Sequence, residues 1–118
     1  MPNSRYRAGY DLERAAKIYL EANGYLVIRA SGSKGCADLI ALKPGPAVLL
    51  VQCKTSGRLG PAERAELYGC AELTGATALA VRWAKDGHQA RYPQFARLTS
   101  REASGLTPWT PDYALETI

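Results

Sequence analysis

Cysteine and histidine are scarce in this chain, and their scarcity limits its chemistry. The three cysteines stand at positions 36, 53 and 70, and His88 is the only histidine. A structural zinc site needs four cysteine or histidine ligands, usually in close pairs, so this wide spacing argues against one. An odd number of dispersed cysteines fits a reducing compartment, where the thiol packs as a small apolar group. His88 follows an Asp-Gly turn signal, which favours a solvated histidine over a catalytic base.

Long apolar runs are missing as well. None approaches the ~18 residues that a membrane-spanning helix needs, and the charges near the N-terminus precede no apolar segment of a secretory signal. Hydrophobic residues make up 47% and charged residues 22% of the chain, the balance of a globular protein rather than a disordered one. We therefore expect a cytoplasmic protein with no membrane partner. We also expect residues 1–118 to form one domain, because this length suffices for one core but not for two.

Acidic residues are outnumbered by basic ones, 11 to 15, which gives a formal net charge of +4. A surplus of this size favours a polyanionic partner without proving one. Four basic residues gather near the N-terminus: Arg5, Arg7, Arg14 and Lys17. The alternative is an ordinary solvated helix face, and charge alone does not decide between the two interpretations.

The spacing of apolar residues and prolines predicts individual elements. Five residues at the spacing i, i+3, i+4, i+7 and i+8 predict one apolar stripe of a helix: Leu12, Ala15, Ala16, Tyr19 and Leu20. Segment 47–54 is nearly all apolar until its last residues, which is typical of a strand buried on both faces. Pro93 interrupts another strand-like segment and favours an edge position for it, because proline cannot donate a ladder hydrogen bond.

These signals together predict an α/β fold with a mixed sheet flanked by helices. The predicted elements are a helix over 9–23, strands over 25–29, 38–42 and 47–54, a helix over 61–73, strands over 77–83 and 89–98, and an irregular tail over 99–118. The order is therefore α-β-β-β-α-β with a further strand.

Polar side chains converge at one end of two predicted strands. Strand alternation directs Gln52 and Lys54 to one face of the sheet and Cys53 to the other. If the two strands form a hairpin through residues 43–46, Asp38 at the start of one strand lies opposite the end of the other. The residue counts along the two arms match approximately. The pattern thus brings a carboxylate, an amide oxygen and an ammonium into one neighbourhood.

Such a cluster suits phosphodiester hydrolysis. Oxygen ligands hold Mg²⁺, which keeps several waters, polarises a phosphoryl oxygen and lowers the pKa of a bound water. A nearby ammonium can orient that water or stabilise the charge that develops on phosphorus. Glu13 on the first helix is a candidate for a further ligand, directly or through water. Ser31 and Ser33 can donate hydrogen bonds to a phosphate.

Each of these residues also has a simpler structural interpretation. An aspartate at a strand start commonly caps a turn, and Gln-x-Lys at a strand end commonly marks where the chain re-enters water. Glu13 and Lys17 are spaced for a surface ion pair on one helix face. Segment 31–35 has the composition of a flexible linker. The residues alone leave both interpretations open.

Four short segments carry a resemblance to a known family. They are GYDLER at 9–14, VIRASGS at 27–33, CADLIA at 36–41 and VQCK at 51–54. In this order and spacing they resemble the archaeal-type Holliday junction resolvases, and the likeness extends over about residues 5–98. The resemblance implies the restriction-endonuclease-like PD-(D/E)xK fold and a homodimer that cuts four-way, branched DNA junctions. It also implies Mg²⁺ as the cofactor, with Mn²⁺ as an alternative ion.

The resemblance further implies roles for individual residues. By this resemblance, the residues that match active-site positions are Glu13, Asp38 and Lys54. Ser33 matches a loop serine, and Arg14 and Arg29 match DNA-facing arginines. Joined with the residues considered above, the predicted sets are Glu13, Asp38, Gln52, Lys54 and Ser33 for catalysis; Asp38, Gln52 and Glu13 for metal; and Arg5, Arg7, Arg14, Arg29, Ser31 and Lys34 for DNA.

One position departs from the family pattern, which has glutamate where this chain has Gln52. Glutamine keeps a carbonyl oxygen that can ligate a cation but lacks the negative charge, so weaker metal binding is expected. Related nucleases of this fold use glutamine at this position, so cleavage remains the expectation. Two alternatives stay open: a sequence-specific or repair nuclease of the same fold, and a catalytically silent protein that binds branched DNA.

Apolar residues near the C-terminus are candidates for the dimer interface. Leu106, Trp109 and Tyr113 are of the kind enriched in interfaces, where aromatic side chains are common. The alternative is that they pack on the core of their own subunit. The sequence favours neither.

Overall fold

The computed structural model describes residues 4–30, 35–45 and 47–111, and it describes side chains for these residues except for 4–8 and 47. The elements in this part of the chain are α1 (Ser4–Ala22), β1 (Leu26–Arg29), β2 (Leu39–Lys43), β3 (Ala47–Cys53), α2 (Pro61–Thr74), β4 (Thr77–Lys85), β5 (Arg91–Leu98) and β6 (Leu106–Trp109). The six strands form one sheet in the order β1-β2-β3-β4-β5-β6, with α1 on one face and α2 on the other. The predicted α/β fold with a mixed sheet is confirmed.

The first helix packs through most of the stripe that its sequence predicts, with Ala15 partly buried and Tyr19 38% exposed at the margin of the stripe. Leu12, Ala16 and Leu20 are completely buried. The helix begins earlier than the predicted residue 9, because residues 4–8 contain neither proline nor glycine to stop it. It ends where predicted, with Gly24 at φ +92°, a backbone conformation that glycine adopts without strain. Neither helix in the described part of the chain combines the length and apolarity that crossing a membrane requires.

Strand β3 lies inside the sheet, as its apolar sequence predicts. It pairs antiparallel with β2 on one side and parallel with β4 on the other. Its residues alternate between the two helix-covered faces: Leu49 and Val51 are buried on the α1 side, and Leu50 is buried on the α2 side. Polar side chains emerge only at its far end, where Gln52 follows.

The hairpin of β2 and β3 confirms the predicted pairing through residues 43–46. Lys43 pairs with Ala47 and Leu39 pairs with Val51. Asp38, one residue before Leu39, therefore comes opposite Gln52. The register of β2 and β3 therefore places both residues at the same end of the sheet.

Two predictions about the C-terminal half are wrong. Strand β5 is not at an edge, since it lies between β4 and β6. However, β6 pairs only with residues from Phe95 to Leu98, so Pro93 lies in the part of β5 that extends beyond β6. The tail over 99–118 is not wholly irregular, because Leu106–Trp109 forms β6 at the sheet edge, where Pro108 is tolerated.

Candidate active site

Asp38 is held by three hydrogen bonds at the start of β2. Its backbone N–H donates to the Val51 carbonyl at 2.8 Å, and its own carbonyl accepts from the Ala30 N–H at 2.8 Å. Its side-chain Oδ2 accepts from the Cys53 N–H at 2.9 Å. The carboxylate is therefore fixed against the end of β3 by the backbone of the sheet rather than by another side chain.

A cavity of about 210 Å³ opens beside this carboxylate, on the face of the sheet that α2 covers. Asp38 and Gln52 line it from the strands, and Glu63 and Glu66 line it from α2. Gln52 has the same strand parity as Leu50, which packs in the cluster beneath α2, so both residues belong to this face. The structure thus places the predicted carboxylate and amide in one pocket.

Lys54 follows β3 on the same face and makes an ion pair that the sequence did not predict. Its Nζ lies 2.5 Å from Glu63 Oε2. The other carboxylate oxygen of Glu63 accepts the Gly60 N–H at 3.1 Å at the start of α2. The hydrogen bond from Lys54 lowers the pKa of Glu63, and the Gly60 N–H adds to that effect. Glu63 is therefore a fixed, charged partner for the lysine.

Burial leaves the Asp38 carboxylate short of compensating charge. Burial raises its pKa, and the Cys53 N–H and the charge of Lys54 only partly offset that rise. A cation in the pocket would stabilise the ionised form. Over the described ranges, no group of three or more His, Cys, Asp or Glu side chains is arranged to hold a metal ion. Asp38 with the Gln52 amide oxygen offers a small set of oxygen ligands, which fits Mg²⁺ because that ion keeps several of its waters.

Glu13 is not among the residues that line this pocket. It lies on α1, across the sheet, and its Oε1 accepts a hydrogen bond from Arg29 Nε at 3.1 Å. The surface pair of Glu13 with Lys17 does not form, since Lys17 pairs with Glu21 at 3.1 Å. The charges of Asp38 and Glu13 both add to the burial effect that raises the pKa of Cys53, so both carboxylates influence the end of β3.

The residues predicted to contact DNA fall into three groups, according to how much of each residue the structure describes. Arg29 lies half-exposed on β1, with its guanidinium 4.8 Å from the centre of the Tyr10 ring. Arg14 is exposed on α1. The backbones of Arg5 and Arg7 belong to α1, but their side chains lie outside the described part of the structure. Two further residues, Ser31 and Lys34, lie wholly outside the described ranges, as does Ser33 of the predicted catalytic set.

The three apolar residues considered for a dimer interface differ in their surroundings. Trp109 packs on its own subunit, with its ring centre 5.6 Å from that of Phe95 and 6.5 Å from that of Tyr25. Leu106 on β6 is 45% exposed and remains available for an interface. Tyr113 lies outside the described residues.

His88 and the cysteines take the structural roles that their sequence context favours. The exposed turn that contains His88 is held by Asp86, whose Oδ1 accepts the His88 N–H at 2.7 Å. The cysteines are free thiols and partly buried. Burial, together with a hydrogen bond to Cys70, raises the pKa of Cys36 to about 11, so this thiol is not a reactive thiolate at neutral pH.

Comparison with known proteins identifies the family. A family model described as archaeal Holliday junction resolvase (Hjc) matches residues 4–106. The crossover junction endodeoxyribonuclease Hjc of Methanocaldococcus jannaschii is 50% identical over 54 residues, which are 46% of this chain and 39% of that protein's length. The structure of Archaeoglobus fulgidus Hjc, a Holliday junction resolvase, superposes with a TM-score of 0.58 and 26% identity over 74% of this chain and 70% of that one. Because the family model covers most of its length, the chain belongs to the archaeal Holliday junction resolvase family.

Proposed function

We propose that the protein is a Mg²⁺-dependent, structure-selective endonuclease that hydrolyses phosphodiester bonds in four-way DNA junctions. The observation that carries the proposal is the pocket at the end of β3. There Asp38 and Gln52 face the same cavity, and Lys54 follows on the same face, within a chain of the archaeal resolvase family. The surplus of basic residues supports a polyanionic substrate.

The proposed metal ligands are Asp38, Gln52 and Glu13. The Asp38 carboxylate supplies the charge, and the Gln52 amide supplies a neutral oxygen. Glu13 does not line the pocket and accepts a hydrogen bond from Arg29, so it would contribute only through water near the end of β3, where its charge acts on Cys53. When bound, Mg²⁺ polarises the phosphoryl oxygen and lowers the pKa of a coordinated water; Mn²⁺ would serve as an alternative ion.

Side chains of the protein would position the attacking water and the DNA backbone. The Lys54 ammonium would hold the attacking water or stabilise negative charge on the phosphoryl oxygens, a role that needs a fixed donor, and its ion pair with Glu63 supports that role. Ser33, which lies outside the described residues, completes the proposed catalytic set as a hydrogen-bond donor to a phosphate oxygen. The proposed DNA contacts position the backbone without reading sequence, and they are made by Arg5, Arg7, Arg14, Arg29, Ser31 and Lys34.

We also propose a homodimer in the cytoplasm. A four-way junction has two-fold symmetry, so two identical subunits would place one pocket on each of two opposing strands. Exposed Leu106 supports an interface that involves β6. Light scattering at micromolar concentration tests the dimer, both free and bound to a junction, and a monomer in both states would contradict it.

The function is tested with labelled four-way junction, linear duplex and flap DNA. With Mg²⁺ the protein should cut the junction symmetrically and leave the duplex largely intact, and without metal it should bind the junction without cutting. Cleavage of duplex at a defined sequence would instead indicate a sequence-specific nuclease of the same fold.

One alternative has an observation in its favour, which is that Gln52 lacks the charge of the family glutamate. If Gln52 marks a decayed metal site, the protein would bind junctions but never cut them. Calorimetric titration with Mg²⁺ distinguishes the two functions, because a silent protein would show no binding at the pocket.

A further inference from the structure

Glu63 has no role among the predicted site residues, yet it is the side chain that contacts Lys54. It occupies the third position of α2, and the Gly60 N–H anchors one of its oxygens at 3.1 Å. Anchoring at the helix start fixes the direction of the carboxylate, because the backbone donor belongs to the same turn. The second oxygen is left to face Lys54 across the edge of the pocket.

Lys54 has two carboxylates within its electrostatic reach. It is paired with Glu63, and its charge also acts on Asp38, where it opposes the pKa rise caused by burial. Asp38 is more buried than Glu63, so a direct contact between its carboxylate and the ammonium would be strong in that less polar environment. Without Glu63, the flexible lysine chain would be drawn to Asp38 and would compete there with a cation.

We propose that Glu63 is a positioning residue that holds the Lys54 ammonium at the pocket edge and keeps it away from the Asp38 carboxylate. The inference rests on the proposed nuclease function and adds to it a residue from α2. The same helix thereby contributes to the arrangement of the site as well as to the core beneath it.

Glu63→Gln removes the charge but keeps a side-chain oxygen that can accept the Gly60 N–H, so the helix start is preserved. We expect kcat for junction cleavage to fall about 10- to 100-fold, with KM for the junction unchanged, since misplacement of a reacting group costs about this much. The matched control is Glu72→Gln, which removes a charge and an ion pair with Arg101 from the other end of the same helix. It should leave kcat within about twofold, as exposed ion pairs contribute little.

A double-mutant cycle separates positioning from a structural effect of Glu63. In a Lys54→Ala background, Glu63→Gln should lower single-turnover cleavage no further, because there is no ammonium left to hold. If Glu63→Gln lowers cleavage equally in both backgrounds, the residue acts through the helix and the proposal is wrong.

A measurement on the metal-free protein needs no activity at all. Relaxation of the Lys54 Cε–H groups by NMR should report a restrained side chain in the wild type and in Glu72→Gln, and a changed signal and mobility in Glu63→Gln. An unchanged Lys54 signal in Glu63→Gln would overturn the proposal. Wild-type protein that cuts no junction would refute the proposed function, whereas normal cleavage by Glu63→Gln would refute only this inference.

Discussion

The two faces of the sheet differ in what their side chains do. The α1 face is an apolar core in which Leu12 and Leu20 are completely buried and the rings of Tyr19 and Phe95 stack 5.5 Å apart. The α2 face has a smaller apolar cluster, and towards the end of β3 that cluster gives way to a pocket lined by charged and polar groups. Alternate residues of β3 contribute side chains to the two faces.

The difference shows how a small protein separates stability from chemistry. Burial of apolar surface on the α1 side supplies free energy without restricting the polar residues on the other side. On the α2 side, Asp38 remains partly buried and insufficiently compensated, an arrangement that costs stability and suits cation binding. We therefore expect substitutions in the α1 core to lower the free energy of unfolding with little effect on cleavage. Substitutions in the pocket should lower cleavage with little loss of stability.

The largest expected effect on the pocket side comes from Asp38→Asn. The substitution removes the charge that anchors the metal, and it should reduce cleavage by at least ~10³-fold, roughly 4 kcal/mol of barrier. Binding of the junction without metal should persist, since basic residues supply the phosphate contacts. Gel-shift and cleavage assays on one preparation check both statements, and wild-type cleavage by the variant would contradict the site assignment.

On the core side, Leu12→Ala should have the reverse profile. Deleting a completely buried leucine should lower the free energy of unfolding by about 3 kcal/mol, while cleavage per folded molecule stays near normal. Urea denaturation measures the first and cleavage at low temperature the second. Leu73→Ala is the control, because Leu73 is 87% exposed and its loss should change stability by less than about 0.5 kcal/mol.

A smaller effect on metal binding is expected at Gln52, where the family pattern has a negatively charged glutamate. Gln52→Glu should strengthen Mg²⁺ binding by about 1 kcal/mol, so the concentration for half-maximal cleavage falls several-fold. Gln52→Ala should weaken binding and leave stability almost intact, because the side chain lies at the partly exposed end of β3. Unchanged metal dependence in both variants would mean that Gln52 is only a strand-end polar residue.

The smallest effect concerns pH and the metal-free protein. Because burial raises the pKa of Asp38, its contribution to stability is fully present below the unfolded-state pKa and is lost as pH rises through the folded-state pKa. Asp38→Asn removes this loss and should melt slightly higher than the wild type at neutral pH, with no advantage below about pH 3.5. Glu63→Gln should show the opposite sign, since the pKa of Glu63 is lowered. Equal melting curves for wild type and Asp38→Asn at neutral pH would contradict the first expectation.

Much of the pocket follows from local sequence rules. The turn signal at 43–46 and the alternation of side chains along β3 suffice to place Asp38 opposite Gln52, with Lys54 on the same face. The family resemblance names the same residues. The turn signal and the alternation of side chains depend only on residues close together in the sequence, which is why the β2–β3 hairpin was predictable.

The contacts that the sequence did not predict depend on how distant elements pack. Glu63 carries a local signal, since a glutamate at the third position of a helix commonly caps its start, but its contact with Lys54 depends on where α2 crosses the sheet. Likewise, the pairing of Glu13 with Arg29 rather than with Lys17 depends on how α1 packs against β1. Strand β6 was missed because Pro108 is typical of a loop, and only its edge position makes the strand acceptable.

The parallel pair of β3 and β4 joins two antiparallel halves of the sheet, β1-β2-β3 and β4-β5-β6. Each half can form from neighbouring hairpins, whereas joining them requires closure of the long connection through α2, which is slow. The Lys54 N–H donates to the Val81 carbonyl between the two halves of the sheet, whereas the Asp38 N–H donates to the Val51 carbonyl within the first half. During refolding, the Lys54 amide should therefore become protected from hydrogen exchange after the Asp38 amide, so the pocket is assembled in the last step of folding.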